Sequence, residues 1–444
     1  MPYFCPLTFV ANHLDAWAEQ PALVANPECD LRLTTTTNWS SSAVIDYGIK
    51  GESIICFAGE DWWYHHPHSK NHILKRLARE NTVLFVNSIT LGLPSLSNPD
   101  FFLKIRRKLK SYTRWLKEVP EGLFVMTPFS LPFFGSRIVC RLNRVLLRMQ
   151  IRLAMMICKM RNPIIWAAIP SAADVVGDLK AKLVLYQVSD KYDALEDTAV
   201  GASRIREMDR RLKQMAALVV YSGRRLYEES EVKHKYLLEQ AVDFDHFAVE
   251  APGSAPEISA IPHPVLGYMG GIDYLMDIAL IEKVSRERPD WHWVLLGLKS
   301  NLVNIDSPNV HFLGSKPYSD LPVYIRHWDV CVLPWRQEHE VVKYGSAIKV
   351  REYMATGKPV VICAIYEYLK TPGLRIYHSV EEFIALVEDA LKNDTPQAKQ
   401  IRQDAVRNCT WDQRAGELGF VIKCCLHSGP NSIPASQRIA WNEE

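Results

Sequence analysis

The chain has 444 residues, a formal net charge of +2 and 48% hydrophobic residues. That length suits two domains of roughly 200 residues each, and the composition excludes both a disordered chain and a globally basic nucleic-acid binder. The ten cysteines form no Cys-x-x-Cys pair, the N-terminus lacks a signal-peptide pattern, and no apolar run reaches the roughly 18 residues needed to span a bilayer. We therefore expect a cytoplasmic protein, with any membrane contact peripheral and on the inner face.

The first half of the chain predicts a parallel sheet. Residues 1–51 lack the periodic spacing of apolar residues that marks a buried helix or strand, and we treat them as an extension of unknown role. From 52 to 250, apolar runs alternate with helical patterns. Strands are predicted at 53–58, 82–87, 123–126, 163–168, 183–188 and 217–222, and a helix at 69–79. A Pro/Gly/Ser linker at 251–261 precedes a second domain at 262–410, and residues 411–444 are expected to form a C-terminal helix and tail.

The turn after the first predicted strand concentrates carboxylates, aromatic rings and imidazoles between residues 59 and 72. Loops at the carboxyl ends of parallel strands hold ligands, aromatic faces suit the apolar face of a sugar, and carboxylates suit its hydroxyls. Asp61 and His68 are therefore candidate catalytic residues, and Asp190, after the strand ending at 188, is a third. Two alternatives stay open: a zinc site, since four histidines fall between 65 and 72, and a helix cap at Ser69 with surface histidines.

A predicted helix beginning near residue 137 carries a basic face. Spacings of three and four residues align five arginines, with apolar residues opposite. The arginines are Arg137, Arg141, Arg144, Arg148 and Arg152, and the apolar residues are Val139, Leu142, Leu146, Met149, Leu153 and Met156. With a second acid-free basic segment at 104–117, they predict contact with an anionic membrane surface. A merely solvated face is the alternative, and nucleic acid is not expected because few aromatic residues interleave the arginines.

The stretch 346–361 joins a polar loop, a short helix, a glycine stop and a buried strand. A helix starting near Ala347 directs unpaired N–H groups and its positive dipole end at the preceding loop, where Lys349 adds a full charge. Glu352 lies on the same face one turn later, where a carboxylate accepts hydrogen bonds from ribose hydroxyls. The pattern predicts a nucleoside diphosphate site. An amphipathic helix whose Lys and Glu are only solvated is the alternative.

The run from Lys349 to Val361 resembles the donor-site signature of GT-B glycosyltransferases, in the bacterial group 1, family 4-like branch. Its pattern is Lys-x-x-Glu-Tyr-x-Ala-x-Gly-Lys-Pro-Val-Val, and segments at 264–273, 289–297, 309–314 and 328–336 resemble further motifs of that family in order and rough spacing. The resemblance is strong from about 262 to 412. It implies a GT-B fold of the α/β class, with two Rossmann-like parallel-sheet domains facing across a cleft.

The same resemblance implies an activity and a set of donor contacts. It implies a hexosyltransferase-type enzyme, retaining and metal-independent, that moves a sugar from a nucleotide diphosphate donor to a glycan or lipid-linked acceptor in cell-surface polysaccharide synthesis. The nucleotide sugar is then a substrate, and no cofactor is expected. Gly270, Gly271, Arg336 and Ser346 would join Lys349 and Glu352 at the donor. The Asp-x-Asp at 243–245 resembles the turn that ends the N-terminal domain in this family, so a structural turn is favoured over a metal site.

The chain also departs from the family pattern. Many members carry an acid at the position of Tyr344, eight residues before Glu352, and many carry Arg and Lys after the first C-terminal strand, where this chain has Asp273 and Asp277. Two alternatives to a transferase follow. One is a non-catalytic GT-B protein that binds sugars or membranes as an assembly partner, and the other is a nucleotide-sugar 2-epimerase.

Overall fold

The computed structural model describes residues 46–63, 66–88, 106, 109–131, 137–194, 202–249, 253 and 255–433. Most of the predicted extension at 1–51, several residues of the basic segment at 104–117 and three positions of the predicted linker lie outside the described residues. Within them the chain forms two predominantly parallel sheets of eight and six strands, flanked by helices. The expectation of an α/β fold with two parallel-sheet domains is confirmed.

The first sheet has the strand order β3-β4-β2-β1-β5-β6-β7-β8, and only the β3–β4 pair is antiparallel. Its strands are β1 Ser53–Phe57, β2 Thr82–Val86, β3 Leu116–Glu118, β4 Phe124–Met126, β5 Ile164–Ala167, β6 Leu183–Val188, β7 Leu218–Tyr221 and β8 Lys235–Leu237. Six of these confirm the predicted strands, with ends that differ by one residue at most. Strands β2 and β5 lie on opposite sides of β1, so the strand order changes direction between β1 and β5. The loops after these two strands therefore flank the crevice where such sheets bind ligands.

The second sheet has the order β11-β10-β9-β12-β13-β14, and every pair in it is parallel. Its strands are β9 Val265–Met269, β10 His292–Leu296, β11 Val310–Gly314, β12 Val330–Leu333, β13 Val360–Cys363 and β14 Arg375–Tyr377. The switch in direction falls between β9 and β12. The loops that follow these two strands therefore flank the second ligand-binding crevice.

The helices cover both faces of each sheet. They are α1 Ser69–Leu77, α2 Arg137–Ile157, α3 Ala173–Val176, α4 Ala202–Met215, α5 Arg224–Glu228, α6 Phe244–Ala248, α7 Pro256–Ser259, α8 Ile278–Glu287, α9 Leu321–Ile325, α10 Glu340–Tyr344, α11 Ile348–Thr356, α12 Val380–Asn393, α13 Pro396–Arg407 and α14 Trp411–Ser428. Among the described residues, no helix is long and apolar enough to cross a membrane.

Packing assigns the chain segments to their domains. The core of the second domain already includes Val242, Phe244 and Phe247, before the predicted linker at 251–261. The C-terminal helix α14 returns to the first domain, where Trp411 and Leu418 join the core around β1 and α1. The chain therefore crosses between the domains twice, near residue 242 and near residue 410.

Candidate active site

The start of α11 is built as an anion-binding end. Ala347 precedes the helix without a side-chain cap, the first turn contains no acid, and Gly357 ends the helix with φ of 75°. The unpaired N–H groups of the first turn and the positive end of the helix dipole therefore face the loop before it. Ser346 lies in that loop, and its buried hydroxyl has no hydrogen-bond partner among the described residues.

The turn after β9 closes over Lys349. Gly270 has φ of 136°, which requires glycine, and a Cβ placed there would lie 2.2 Å from the Lys349 Nζ atom and displace the ammonium. Gly271 follows in the same turn, and its carbonyl accepts the Tyr268 hydroxyl at 2.7 Å. The structure thus brings together Gly270, Gly271 and Lys349, three of the six predicted donor residues.

Two aromatic rings hold the Lys349 ammonium. Its Nζ lies 4.5 Å from the centre of the Trp335 ring and 4.9 Å from that of Tyr268, and it donates to the Tyr268 hydroxyl at 3.3 Å. Burial lowers the pKa of Lys349 to about 8, although Asp273 and Glu352 act in the opposite direction. The sequence did not identify Trp335 as a site residue. Its neighbour, the predicted Arg336, instead donates to the Glu338 carboxylate at 3.1 Å.

Glu352, one turn after Lys349, is only 7% exposed. Burial raises the pKa of its carboxyl to about 7, Asp243 raises it further, and Lys349 and Tyr318 lower it. A carboxylate held in such surroundings is a strong acceptor for hydroxyl groups, because few water molecules compete for it. This is the property that a ribose-binding residue needs.

Tyr344 replaces the acid of the family pattern with a contact between the domains. Its hydroxyl donates to the Glu229 carboxylate at 2.6 Å, and the charged groups of Lys191 and Arg225 each lie 4.5 Å from its ring centre. Close by, a Cβ at Gly223 would lie 3.9 Å from the Ser346 Cβ. The loop before α11 therefore touches the carboxyl edge of the first sheet.

The candidates from the first domain occupy different environments. Asp61 fixes its own loop, since its carboxylate accepts the Trp63 N–H at 3.0 Å and the Ser111 hydroxyl at 2.8 Å. His68 is exposed at the start of α1, where its N–H donates to the Asn71 side chain at 2.9 Å. The helix is therefore preceded by His68, one residue before the alternative cap at Ser69.

Asp190 lies in a charged cluster at the carboxyl edge of the first sheet. Burial raises its pKa, Lys70 lowers it, and Glu60 raises it. Lys70 and Glu60 form an ion pair of 2.9 Å, with side chains only 9% and 8% exposed. The sequence analysis did not single out these two residues, although a lysine in the first turn of a helix after a polar loop is a usable signal. The catalytic roles of Asp61, His68 and Asp190 stay predictions.

No described cluster of three or more His, Cys, Asp or Glu side chains is placed to hold a metal ion. The zinc alternative depended partly on His65, which lies outside the described residues. Asp243 instead contacts two side chains of α1, with 3.3 Å to the His72 Nδ1 atom and 3.0 Å to the Arg76 guanidinium. This contact gives Asp243 a structural partner.

Helix α2 has three faces where the sequence suggested two. Leu147, Ile151 and Ala154 are buried on the first sheet. The row expected to lie opposite the arginines is largely exposed, as Leu142, Met149 and Met156 show at 52%, 63% and 70% exposure. Two of the arginines pair with acids, Arg144 with Asp174 and Arg148 with Asp178, each at 3.6 Å. Arg152 donates to the Asp178 carbonyl, and Arg141 is exposed. The Arg137 side chain lies outside the described part of the chain.

Comparison with known proteins defines the class of this architecture. Residues 264–393, which contain Lys349 and Glu352, match the family model described as glycosyl transferases group 1. The structure of sucrose-phosphate synthase from Thermosynechococcus elongatus aligns with a TM-score of 0.61 and 13% identity, over 84% of this chain and 98% of that one. At this identity the likeness shows the fold alone. The chain has the GT-B fold, and its residues 264–393 are similar to the group 1 glycosyl transferases.

Particular relatives extend the comparison. TuaH of Bacillus subtilis (strain 168), whose name provisionally assigns it to teichuronic acid biosynthesis as a glycosyltransferase, is 26% identical over 232 residues. That alignment covers 47% of this chain and 57% of TuaH, so a little over half of the relative is matched. Anabaena Alr3699/HepE, solved in complex with UDP and glucose, aligns with a TM-score of 0.55 and 13% identity, over 84% of this chain and 99% of that one.

Proposed function

We propose that the protein is a glycosyltransferase of group 1 type that takes its sugar from a nucleoside diphosphate donor. The observation that carries the proposal is the pairing of Lys349, at the uncapped start of α11, with the buried Glu352 one turn later. The helix end, the Gly270–Gly271 turn and the Lys349 ammonium suit a diphosphate, and Glu352 suits the ribose attached to it.

The same groups supply a mechanism for the departure of the diphosphate. As the bond between sugar and phosphate breaks, negative charge grows on the phosphate oxygens. The dipole of α11 and the charge of Lys349 are already oriented toward it, so they stabilise the transition state without reorganising. This arrangement supports transfer without a metal ion or a separate cofactor, and the leaving phosphate can then act as the base in a retaining reaction.

We further propose a glycan or lipid-linked acceptor, used at the inner face of a membrane in cell-surface polysaccharide synthesis. The name of TuaH assigns that relative to the synthesis of such a polymer. The exposed apolar row on α2, bordered by arginines and free of acids along the helix, suits an anionic bilayer. It would bring the first domain to the surface where a lipid-linked acceptor is presented.

Thermal unfolding with UDP, GDP, dTDP and ADP tests the donor site. A ligand at about 100 times its dissociation constant stabilises a protein by roughly 2.7 kcal/mol, so one of the four should raise the melting temperature by a few degrees. Glu352→Gln should lose most of that rise. Glu207→Gln, a surface carboxylate paired with Arg210, is the matched control and should keep it.

The stabilising nucleotide then names the donor for a sugar-transfer assay. If none of the four stabilises the wild type, the donor proposal is wrong, and a non-catalytic GT-B protein becomes the better interpretation. The contact of Tyr344 with Glu229, in place of the acid of the family pattern, is the observation that favours this second candidate.

A further inference from the structure

Tyr318, in the loop after β11, lies beside Glu352, close enough for its hydroxyl to lower the pKa of that carboxyl. Its hydroxyl is buried and completes no hydrogen bond among the described residues. Buried hydroxyls in proteins nearly always have a partner, and one left without a partner is costly. A partner from outside the chain, at the position next to Glu352, would remove that cost.

The ring of Tyr318 is held rigidly from three sides. It stacks on His246 with ring centres 4.9 Å apart, meets Phe247 edge to face at 5.6 Å, and lies 5.7 Å from His72 of the first domain. His246 also contacts the Tyr318 backbone carbonyl, at 3.0 Å. The hydroxyl therefore stays in place without a hydrogen bond of its own, as a preorganised binding group does.

We propose that Tyr318 is a second ribose-binding residue, which donates its hydroxyl proton to one ribose hydroxyl while Glu352 accepts from the ribose. The vicinal hydroxyls of ribose each donate and accept, so an adjacent donor and acceptor match them. The inference rests on the proposed nucleotide site and assigns to Tyr318 a role in selecting ribonucleotides over deoxyribonucleotides. A site built to bond a hydroxyl rejects an analogue that lacks it more strongly than an apolar pocket does.

The test compares, by calorimetry, the dissociation constants of UDP with those of its 2′-deoxy and 3′-deoxy forms, or uses the GDP or ADP series if that nucleotide binds. Binding of dTDP alone would overturn the inference. Wild type should prefer the ribonucleotide by about tenfold or more over at least one deoxy form. Tyr318→Phe should reduce that preference severalfold, through weaker UDP binding, and leave the constant for that deoxy form unchanged, since Glu352 still accepts from the ribose. Tyr324→Phe, which removes a hydroxyl bonded to Glu257 at 2.7 Å, is the matched control and should keep the wild-type preference.

A stability measurement separates this role from a structural one. Because the hydroxyl lies beside the Glu352 carboxyl without a well-formed hydrogen bond, Tyr318→Phe should change the melting temperature without ligand only slightly. A large fall in the melting temperature, an unchanged preference, or an equal loss for UDP and both deoxy forms would each overturn the inference while nucleotide binding by wild type stands. If wild type binds no nucleotide, the proposed function fails together with it.

Discussion

Lys349 and Glu352 lie one helical turn apart in surroundings that disfavour both charges. Burial lowers the pKa of the lysine to about 8 and raises that of the glutamate to about 7. Each side chain is therefore less stable as an ion in the folded protein than in water. A bound nucleotide offers phosphate to the lysine and hydroxyls to the glutamate. The free protein therefore keeps two unfavourably buried charged groups that the ligand would stabilise.

The raised pKa of Glu352 predicts how the free energy of unfolding depends on pH. The folded pKa of about 7 exceeds the ordinary value of 4.5, so the folded state holds its proton more tightly and loses stability as the pH rises from 4.5 to 7. At 1.36 kcal/mol per unit, the loss reaches about 3 kcal/mol above pH 7. Glu352→Gln should therefore be more stable than wild type at pH 8, with a gap below about 1 kcal/mol at pH 5.

Urea unfolding of both proteins at the two pH values measures that gap. Glu381→Gln is the control, because Glu381 is an exposed carboxylate paired with Lys283 at 2.6 Å and its removal should bring no gain at pH 8. A gap between wild type and Glu352→Gln that is the same at both pH values would show that Glu352 does not titrate near neutrality.

The residues of the site differ in how far the sequence could predict them. Lys349 and Glu352 could be predicted from the sequence, because their spacing and their position at the start of a helix indicate a diphosphate site beside an acceptor for ribose hydroxyls. Tyr318 was not, since it reaches Glu352 from a different loop, through a contact that only the assembled sheet creates. The aromatic support of Trp335 beneath Lys349 depends in the same way on how β9, β12 and α11 meet.

At the scale of elements, helix α2 shows that the helical spacing of apolar residues does not determine which row of them is buried. The sequence placed one apolar row opposite the arginines, but the helix carries two apolar rows on adjacent faces. The row of Leu147, Ile151 and Ala154 is buried on the sheet, and the row of Leu142 and Met149 is exposed. Both rows satisfy helical spacing, so the choice between them depends on the angle at which the helix packs.

The exposed row predicts membrane binding that can be removed without unfolding the protein. The double variant Leu142→Asp with Met149→Asp should keep the wild-type melting temperature, because both side chains are more than half exposed. Its affinity for phosphatidylglycerol vesicles in a sedimentation assay should fall by about tenfold or more, since each apolar side chain contributes roughly 1.5–3 kcal/mol when fully buried.

Two comparisons make that experiment specific. Leu302→Asp changes an equally apolar residue, 84% exposed in the second domain, and should leave vesicle binding intact. Vesicles of phosphatidylcholine alone should bind wild type more weakly than anionic ones, because the arginines then lose their partners. Equal binding of the double variant and wild type would exclude α2 as the docking element.

At the scale of the whole molecule, the two domains meet at a buried group of charges around Glu239. This residue follows β8 in the first domain and is 5% exposed. Its carboxylate lies 2.6 Å from Arg224 of the same domain, 3.7 Å from Arg351 on α11 and 3.8 Å from Arg414 on α14. The helix that carries Lys349 and Glu352 is thus fixed from behind by the first domain and by the returning C-terminal helix.

Removing the charge at the centre of this network should destabilise the protein. Glu239→Gln keeps the shape of the side chain but removes the ion-pair partner of Arg224, while Arg351 keeps Glu367 and Arg414 keeps Glu417. A buried charge that loses its partner typically costs about 3–5 kcal/mol. The free energy of the first transition in guanidinium unfolding should fall by that amount. Glu228→Gln, at the surface contact with Tyr366, should change it little. A loss below about 1 kcal/mol for Glu239→Gln would mean that Glu367, 3.6 Å from Arg351, and Glu417, paired with Arg414, hold the network together without it.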